Sequence, residues 1–343
     1  MSGLFQAWIM IFTKGVSMRV SVWFALLLLG TQLGALGSSS VMAAQVNDFI
    51  QVFEALSGKH PGERKGHAKG ICTIGSFQPS AGEPWLKELP LFATEQALPA
   101  QVRFSMAGGD PFVADTSRSP RGIGVRIELP DGQVHQLAGL STPVFPGKNP
   151  DSFLGLLRAS LAQREGETGA VARYLQQHPD AARQGQWLKQ HNPPAAYTSV
   201  NYFGIHSFIF GNEDQQKRFG RWELWPVDGE QPLTDAELAQ LPNDFLQDRL
   251  IQRLKTGPAQ FELKLTLAEE GDPLLDPSQQ WPDNRPRVAL GRLTIDSVAA
   301  SACDKLNFDP NVLSKGIAAS DDPVLRLRSA AYAISFGKRL SGQ

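Results

Sequence analysis

Two segments that lie far apart in the sequence carry side chains that could serve one iron ion. Arg328 precedes Tyr332 by four positions, about one turn if the segment is a helix. An arginine at that spacing can hold the phenol in its anionic form, and a phenolate is a hard ligand for ferric iron. Far upstream, the segment 63–70 reads ERKGHAKG and contains His67, an acid–base group that could serve the opposite side of that iron.

The composition excludes several functional classes. The chain has 343 residues, of which 42% are hydrophobic and 20% charged, as is typical of a soluble globular protein. The 33 Lys and Arg residues balance the 34 Asp and Glu residues, so no bulk charge indicates binding to nucleic acid or to an anionic membrane. The two cysteines, Cys72 and Cys303, form no C-x-x-C pair, which argues against a cysteine zinc or iron–sulfur site. A disulfide between them is compatible with an oxidising compartment, but two separate thiols are the preferred interpretation.

The N-terminus has the pattern of an export signal. Arg19 precedes the strongly apolar stretch 20–29, and small residues follow at 41–44 (VMAA). This order is typical of a secretory signal peptide, with cleavage at the end of that segment. An uncleaved membrane anchor is the alternative, but the apolar stretch is shorter than the ~20 residues that a spanning helix needs. We therefore expect residues 1–44 to be a signal peptide, with Met18 as a second candidate for the translation start, and the mature protein to be periplasmic or extracellular.

The mature chain alternates between strand and helix patterns. Apolar residues alternate over 125–129, and a Pro-Asp-Gly turn leads into 134–137, which predicts a hairpin. Apolar residues at helical spacing follow over 153–188 and predict helices there. A second alternating stretch at 261–267 predicts a strand. The last helix is predicted at about 323–339 and carries both Arg and Tyr of the first motif.

These patterns predict an α+β fold. Strands on both sides of a helical middle indicate a mainly antiparallel β core with helical insertions. No linker rich in Gly, Ser or Pro and no internal repeat interrupts the chain, so residues 45–343 are predicted to form a single domain.

An ordered series of motifs resembles a known family. The chain is similar to the haem catalase superfamily, in particular to its short, exported branch of catalase-related peroxidases, from about Phe53 to Arg339. No single block is specific, but the whole series in this order is. The resemblance implies an antiparallel β-barrel core and a proximal helix at the C-terminus. It rests on the blocks 63–70 (ERKGHAKG), 102–105 (VRFS), 114–122 (ADTSRSPRG), 142–145 (TPVF), 149–153 (NPDSF), 281–282 (WP), 307–310 (NFDP) and 322–332 (DPVLRLRSAAY).

The resemblance also implies a haem b cofactor and a role for each site residue. Tyr332 would bind the iron on the proximal side, with Arg328 supplying the cation that stabilises its phenolate. His67 would be the distal acid–base group, taking a proton from one peroxide oxygen and returning it to the other, so that O–O cleavage is heterolytic. Ser105 would orient His67 by a hydrogen bond. The remaining implied contacts are those of Arg64, Arg103 and Arg328 with the haem propionates, and those of Phe145 and Phe153 with the haem face.

Three features depart from the usual catalase pattern. Ser141 stands where catalases place an Asn just before the TPVF motif, and its single hydroxyl donor would position a second peroxide less well. Ile334 stands where an acidic residue is usual. The chain also ends soon after the proximal helix, which suggests a more open haem that admits larger hydroperoxides and organic reductants.

The sequence therefore predicts an exported haem peroxidase with weak catalase activity. Its substrates would be hydrogen peroxide or organic hydroperoxides, reduced by an external small-molecule electron donor. Two alternatives stay open, a small monofunctional catalase and a haem carrier or sensor without turnover. The carrier ranks third because it has no need of a distal acid–base histidine. The predicted state is a monomer or small homo-oligomer, with no nucleic-acid partner and no stable membrane span after signal cleavage.

Overall fold

An antiparallel β-barrel forms the centre of the fold. The computed structural model describes residues 46–80, 82–211 and 216–343. Within them, ten strands form one sheet in the order β10-β6-β7-β5-β4-β3-β2-β1-β9-β8, and β7 also pairs with β8. That pairing closes eight strands into a barrel, and β6 and β10 extend from it on β7. The strands are β1 (Gly70–Pro79), β2 (Leu98–Met106), β3 (Arg121–Glu128), β4 (Val134–Leu140), β5 (Tyr202–Phe203), β6 (Phe208–Phe210), β7 (Arg218–Pro226), β8 (Ala259–Leu267), β9 (Arg287–Val298) and β10 (Ile317–Ala319).

Helices lie before, between and after the strands. The predicted α+β fold with an antiparallel barrel is confirmed, including the hairpin of β3 and β4 and the final helix. The helices are α1 (46–57), α2 (Pro150–Arg164), α3 (Ala170–Gln177), α4 (Pro179–Gln190), α5 (Asp235–Leu238), α6 (Phe245–Lys255) and α7 (Pro323–Leu340). Short 3₁₀ helices occupy Pro84–Glu88, Pro90–Phe92 and Ala300–Cys303.

Alternation along the strands gives the barrel wall two different faces. On β2, Val102 and Phe104 are fully buried in the barrel core, whereas Arg103 and Ser105 between them face the other way. The core side is filled by aromatic rings: the Phe104 ring centroid is 5.5 Å from that of Tyr197 and 6.3 Å from that of Phe261. The outer face is therefore the one that can carry polar, functional side chains.

The strand register places the smallest residues of the outer face beside the polar ones. Ser105 pairs with Gly122 on β3, and Arg103 pairs with Gly124. Across the next ladder, Gly124 pairs with Ala138 on β4. Small side chains at these positions leave room for other groups to approach the outside of the barrel.

Three helices that are distant in the sequence cover this outer face. A hydrophobic cluster joins them, with Phe49 from α1, Leu154 from α2 and Leu327 from α7. Apolar side chains of the three helices are thereby buried against one another, and Leu325 of α7 also joins the hydrophobic cluster of the barrel core. The space between the helices and the barrel wall is what remains open.

A disulfide corrects the interpretation that favoured two separate thiols. Cys72 on β1 and Cys303 are bonded, with their Cα atoms 5.9 Å apart. β9 pairs with β1 and ends at Val298, and the next residue, Ala299, donates a backbone hydrogen bond to the Cys72 carbonyl. The strand pairing brings the two cysteines together across 231 residues, which sequence spacing alone could not indicate.

The predicted signal peptide, residues 1–44, lies outside the described residues. Among the residues that the structure describes, none of the helices is both long and apolar enough to span a membrane. The single-domain boundary at residue 45 stays a prediction.

Candidate active site

A cavity of about 460 Å³ lies between the outer barrel face and the covering helices α1, α2 and α7. Strands β2, β3 and β4 supply one wall, and the segment that contains His67 borders it. Eight of the nine predicted site residues line this single cavity, although they come from five separate parts of the chain. They are Arg64, His67, Arg103, Ser105, Phe145, Phe153, Arg328 and Tyr332.

His67 has a strained backbone and a neutral hydrogen-bond partner. Its φ of 56° lies in the left-handed region, and no other non-glycine residue in the described ranges has a positive φ. Its Nδ1 lies 3.0 Å from the Ser105 hydroxyl oxygen, and its carbonyl accepts a hydrogen bond of 2.9 Å from Arg103 Nη1. Such strain persists only where the surroundings over-determine the conformation, and it concentrates at functional sites.

The contacts of Ser105 are compatible with a His67 ring that carries its proton on Nδ1. When the Ser105 hydroxyl donates its single proton to the Gly122 carbonyl, 3.4 Å away, its oxygen can accept from Nδ1–H of His67. In that arrangement Nε2 carries no proton and is available as a base. The close fit requires a glycine at 122, because a Cβ there would lie 2.5 Å from His67 Nδ1.

Burial and three arginines keep His67 neutral. The pKa of His67 is lowered to about 3, first by burial and then by the positive charges of Arg103, Arg328 and Arg64. At neutral pH the imidazole is therefore unprotonated. It can accept a proton from a substrate and then return it.

Tyr332 and Arg328 meet on one face of α7. Arg328 Nη2 donates a hydrogen bond of 2.6 Å to the Tyr332 hydroxyl oxygen, and the guanidinium carbon is 5.3 Å from the ring centroid. The helix begins at Pro323, and the Asp322 carboxylate caps it by accepting from the backbone N–H of Val324 at 2.8 Å. A tyrosine oxygen can bind ferric iron, and the contact with Arg328 fixes the position of this oxygen in the cavity.

A buried histidine–aspartate pair, which the sequence analysis missed, anchors the start of α7. His206 Nδ1 lies 2.6 Å from Asp322 Oδ2, and each side chain is only 1% exposed. Burial lowers the pKa of His206, the Asp322 charge opposes that shift, and the charge of Arg328 adds to it. Asp322 is the first residue of the motif 322–332, but no local sequence pattern around His206 indicates a contact with α7.

Arg64, Arg103 and Arg339 form a positive cluster without carboxylate partners. Arg64 Nη2 and Arg339 Nη2 both donate to the Leu306 carbonyl, at 3.1 and 2.9 Å. None of the three arginines is ion-paired within the described part of the chain. Burial lowers the pKa of Arg64 to about 9 and that of Arg103 to about 10, so both stay charged at neutral pH. Such a cluster matches a ligand with two carboxylates.

Arg339 was absent from the predicted cofactor contacts. It follows Tyr332 by seven positions, about two helical turns, so helical spacing could have placed it on the same side of α7. Its Nε is buried without a hydrogen-bond partner, which leaves a donor for an additional acceptor. Arg328, by contrast, uses its Nη2 on Tyr332. Its predicted propionate contact stays a prediction.

Aromatic rings cover part of the cavity. The ring centroids of Phe145 and Phe153 are 4.7 Å apart, and Phe153 also stacks on Phe49 at 5.6 Å. Asn149 starts the helix that carries Phe153 by accepting a hydrogen bond of 2.9 Å from the backbone of Ser152. The rings offer a flat apolar group a broad surface.

Ser141 is the one predicted residue that does not line the cavity. Its hydroxyl oxygen accepts a hydrogen bond of 2.9 Å from the backbone N–H of Arg121. A different amide lines the cavity instead, that of Gln184 on α4. Gln184 Nε2 donates to Thr142 Oγ1 at 3.2 Å and to the Val144 carbonyl at 2.9 Å, and so holds the TPVF segment. No motif marked Gln184, because its place depends on how α4 packs.

Known protein sequences are similar to this chain over most of its length. The family model described as Catalase matches residues 31–343. A catalase-related peroxidase of Synechococcus elongatus is 36% identical over 299 residues, which is 85% of this chain and 88% of the relative. A catalase-related peroxidase of Mycolicibacterium paratuberculosis is 32% identical and covers 83% of this chain and 92% of its own length.

Solved structures share the fold at lower identity. A fungal catalase superimposes with a TM-score of 0.73 at 22% identity, covering 82% of this chain and 60% of the catalase. Catalase A from Saccharomyces cerevisiae gives a TM-score of 0.72, also at 22% identity, covering 82% of this chain and 62% of its own. The chain thus spans about 60% of the length of these solved proteins.

Proposed function

Because this chain belongs to the catalase family, we propose that it is a haem b peroxidase with weak catalase activity. It is an oxidoreductase acting on peroxide, and an external small-molecule donor supplies the electrons. The observation that carries the proposal is one cavity lined by both a neutral base, His67, and a tyrosine held by a cation, Tyr332 with Arg328.

The residues at the cavity fit a haem. Tyr332 would bind its iron, and the guanidinium groups of Arg64 and Arg103, which line the cavity, would hold its two propionates. Arg339 does not line the cavity, but it shares the Leu306 carbonyl with Arg64 and adds positive charge there. The rings around Phe153 would pack against its face. Both cysteines of the chain are used in the disulfide, so neither is available for covalent attachment, which supports haem b.

The haem, when bound, supplies the redox chemistry of peroxide cleavage and electron uptake from the donor. The chain supplies the proton transfers. His67 Nε2 accepts the proton of one peroxide oxygen and delivers it to the other, which leaves as water or an alcohol. Ser105 keeps the ring in the tautomer that this step needs, and the low pKa of His67 keeps it ready as a base.

Two features support a peroxidase rather than an efficient catalase. The relatives from Synechococcus elongatus and Mycolicibacterium paratuberculosis are named catalase-related peroxidases and match over most of their length. In addition, Ser141 turns its hydroxyl to the backbone of Arg121, so that it offers peroxide neither an amide nor a free hydroxyl oxygen. Dismutation requires a second peroxide to be positioned as the reductant, and that step is the one we expect to be poor.

The test compares oxygen release with donor oxidation in purified, haem-loaded protein. We expect hydrogen peroxide to be consumed mainly when a donor such as ABTS is present, with slow oxygen release in its absence. Rapid donor-free oxygen release would instead favour a small monofunctional catalase. The variant Ser141→Asn should raise oxygen release severalfold, whereas Ser141→Ala removes the same hydroxyl without adding an amide and should not.

Export to the periplasm or the outside is part of the proposal. The Cys72–Cys303 disulfide supports it, because disulfides form and persist in oxidising compartments. Mass spectrometry of protein recovered from the periplasmic fraction should give an N-terminus near residue 45. Recovery of the uncleaved chain from the cytosol would contradict it. Light scattering on the same sample would test the proposed monomer or small homo-oligomer.

A further inference from the structure

Gly66 precedes His67 and lines the same cavity, yet nothing in its surroundings requires a glycine. It is not among the glycines with a positive φ, so its backbone suits any L-residue. Apart from the adjacent residues Lys65 and His67, a Cβ built on it would meet no atom within 4 Å. Neither the conformation nor the packing of the chain therefore explains the missing side chain.

Other glycines at the cavity have a steric reason that Gly66 lacks. A Cβ on Gly122 would lie 2.5 Å from His67 Nδ1, and a Cβ on Gly124 would lie 2.8 Å from the ring of Phe308. Gly108 has a φ of 107°, which favours glycine whatever the space around it. At Gly66 the consequence of the glycine is open space inside the cavity.

The segment around Gly66 is held on both sides, so this space has a defined position. The backbone N–H of Lys65 donates to Ser335 Oγ on α7 at 3.2 Å, and the Lys65 ammonium lies 3.4 Å from the Glu54 carboxylate. On the other side, Arg103 donates to the His67 carbonyl at 2.9 Å. A loop fixed in this way holds Gly66 at a defined position in the lining of the cavity, next to His67 in the chain.

We propose that Gly66 sets the size of hydroperoxide that can reach His67, by leaving room for the organic group of an alkyl or aryl hydroperoxide. This rests on the proposed function and names its substrate class. The reaction is ROOH with two electrons and two protons from the donor, giving ROH and water. The O–O bond breaks, and His67 carries the proton from the terminal oxygen to the departing RO oxygen. The cavity that Gly66 lines also has apolar walls, including Ala107 and Pro120, which suit an organic R group.

The binding test fills the gap stepwise with Gly66→Ala and Gly66→Val in the full haem-loaded protein. Cyanide and 4-phenylimidazole are titrated as a small and a bulky ligand, and absorption spectra report their dissociation constants. Gly66→Val should raise the dissociation constant of 4-phenylimidazole by about tenfold or more and change that of cyanide by less than about twofold. Gly66→Ala should raise the ratio of the 4-phenylimidazole constant to the cyanide constant by about threefold. Gly185→Val is the matched control, since Gly185 is exposed on α4 and its Cβ would also meet nothing within 4 Å.

The activity test uses the same variants. The ratio of kcat/KM for cumene hydroperoxide to that for hydrogen peroxide should fall by about tenfold in Gly66→Val and stay unchanged in Gly185→Val. The inference would be overturned if Gly66→Val lowered kcat/KM equally for both peroxides. It would also be overturned if the dissociation constants of cyanide and 4-phenylimidazole did not change. Loss of haem from Gly66→Val with no ligand shift in Gly66→Ala would overturn it too, because the gap would then belong to the cofactor. A wild-type protein that reduces no peroxide with any donor would defeat the proposed function, while the ligand titrations would still decide the role of Gly66.

Discussion

The two polar groups of the cavity differ in the charge of their partners. His67 Nδ1 lies 3.0 Å from a neutral hydroxyl, that of Ser105, whereas the Tyr332 hydroxyl lies 2.6 Å from the guanidinium of Arg328. No carboxylate pairs with either one in the described part of the chain. The positive charges of Arg103, Arg328 and Arg64 lower the pKa of His67, whereas Arg328 donates a hydrogen bond to the Tyr332 oxygen. Arg328 thus acts on both groups, because its charge disfavours a protonated imidazole and its guanidinium holds the phenol oxygen that we propose as the iron ligand.

The largest expected effect comes from removing the anionic oxygen. Tyr332→Phe keeps the ring and its packing but deletes the proposed ligand, so we expect the ferric haem spectrum to change and the haem content to fall severely. Absorption spectra and the ratio of haem to protein measure this. Tyr174→Phe is the matched control, since the Tyr174 hydroxyl bonds only to the Ser152 carbonyl outside the cavity. An unchanged ferric spectrum in Tyr332→Phe would show that the ligand is another group.

Removing the neutral base should spare the cofactor and abolish the proton transfers. We expect His67→Ala to retain haem and to lose peroxide reactivity by ~10²-fold or more. His60→Ala is the control, because His60 lies in the same loop and its ring nitrogen contacts the Ser57 carbonyl, at 2.9 Å, and not His67. Stopped-flow rates with hydrogen peroxide decide the outcome. Undiminished reactivity would favour the haem carrier over the enzyme.

His135 shows the effect of burial on a histidine pKa without the charges of the arginines that act on His67. Its pKa is lowered to about 4 by burial alone, and its Nδ1 accepts a hydrogen bond of 3.2 Å from the backbone of Ser314. Between about pH 4 and 6.5 the unfolded chain therefore binds the extra proton, so stability falls as the pH falls below about 6.5.

From pH 7.5 to pH 5 this histidine should lower the free energy of unfolding by about 2 kcal/mol. The variant His135→Asn should narrow the difference between the melting temperatures at the two pH values, and His191→Asn, a change at an exposed position, should not. An identical pH dependence in wild type and His135→Asn would mean that the buried ring is not held neutral.

The smallest effect is expected from the neutral partner itself. Ser105→Ala removes one hydrogen bond to His67. We expect this to lower peroxide reactivity by about threefold to tenfold. Because Ser105 positions the base and does not touch peroxide, KM should change little while kcat falls. Ser105→Thr keeps the hydroxyl and should restore most of the rate. If Ser105→Ala kept full activity and Ser105→Thr lost it, Ser105 would have no role in positioning His67.

Local patterns predicted the elements that depend on neighbouring residues. The alternation in β3 and the turn before β4 predicted the hairpin, and the spacing of Arg328 and Tyr332 predicted their contact on one helix. Long-range partners were missed or misjudged. The Cys72–Cys303 bond depends on the pairing of β1 with β9, which no local pattern contains.

Gln184 and His206 illustrate the same limit within the site. Gln184 enters the cavity only because α4 packs beside the TPVF segment, and His206 meets Asp322 across 116 residues. Arg339 is an intermediate case, because its helical spacing from Tyr332 was visible but its shared carbonyl with Arg64 was not.

The sequence by itself determined the chemistry that this protein can attempt. The residue types at His67, Arg328 and Tyr332, and their order in the motif series, supply the groups that we propose as the base and the iron ligand, because side-chain chemistry is local. Only the tertiary structure decided their electrostatic state and the space around them. Burial and through-space charge lower the pKa of His67, and contacts with α7 and β2 hold the segment in which Gly66 leaves open space.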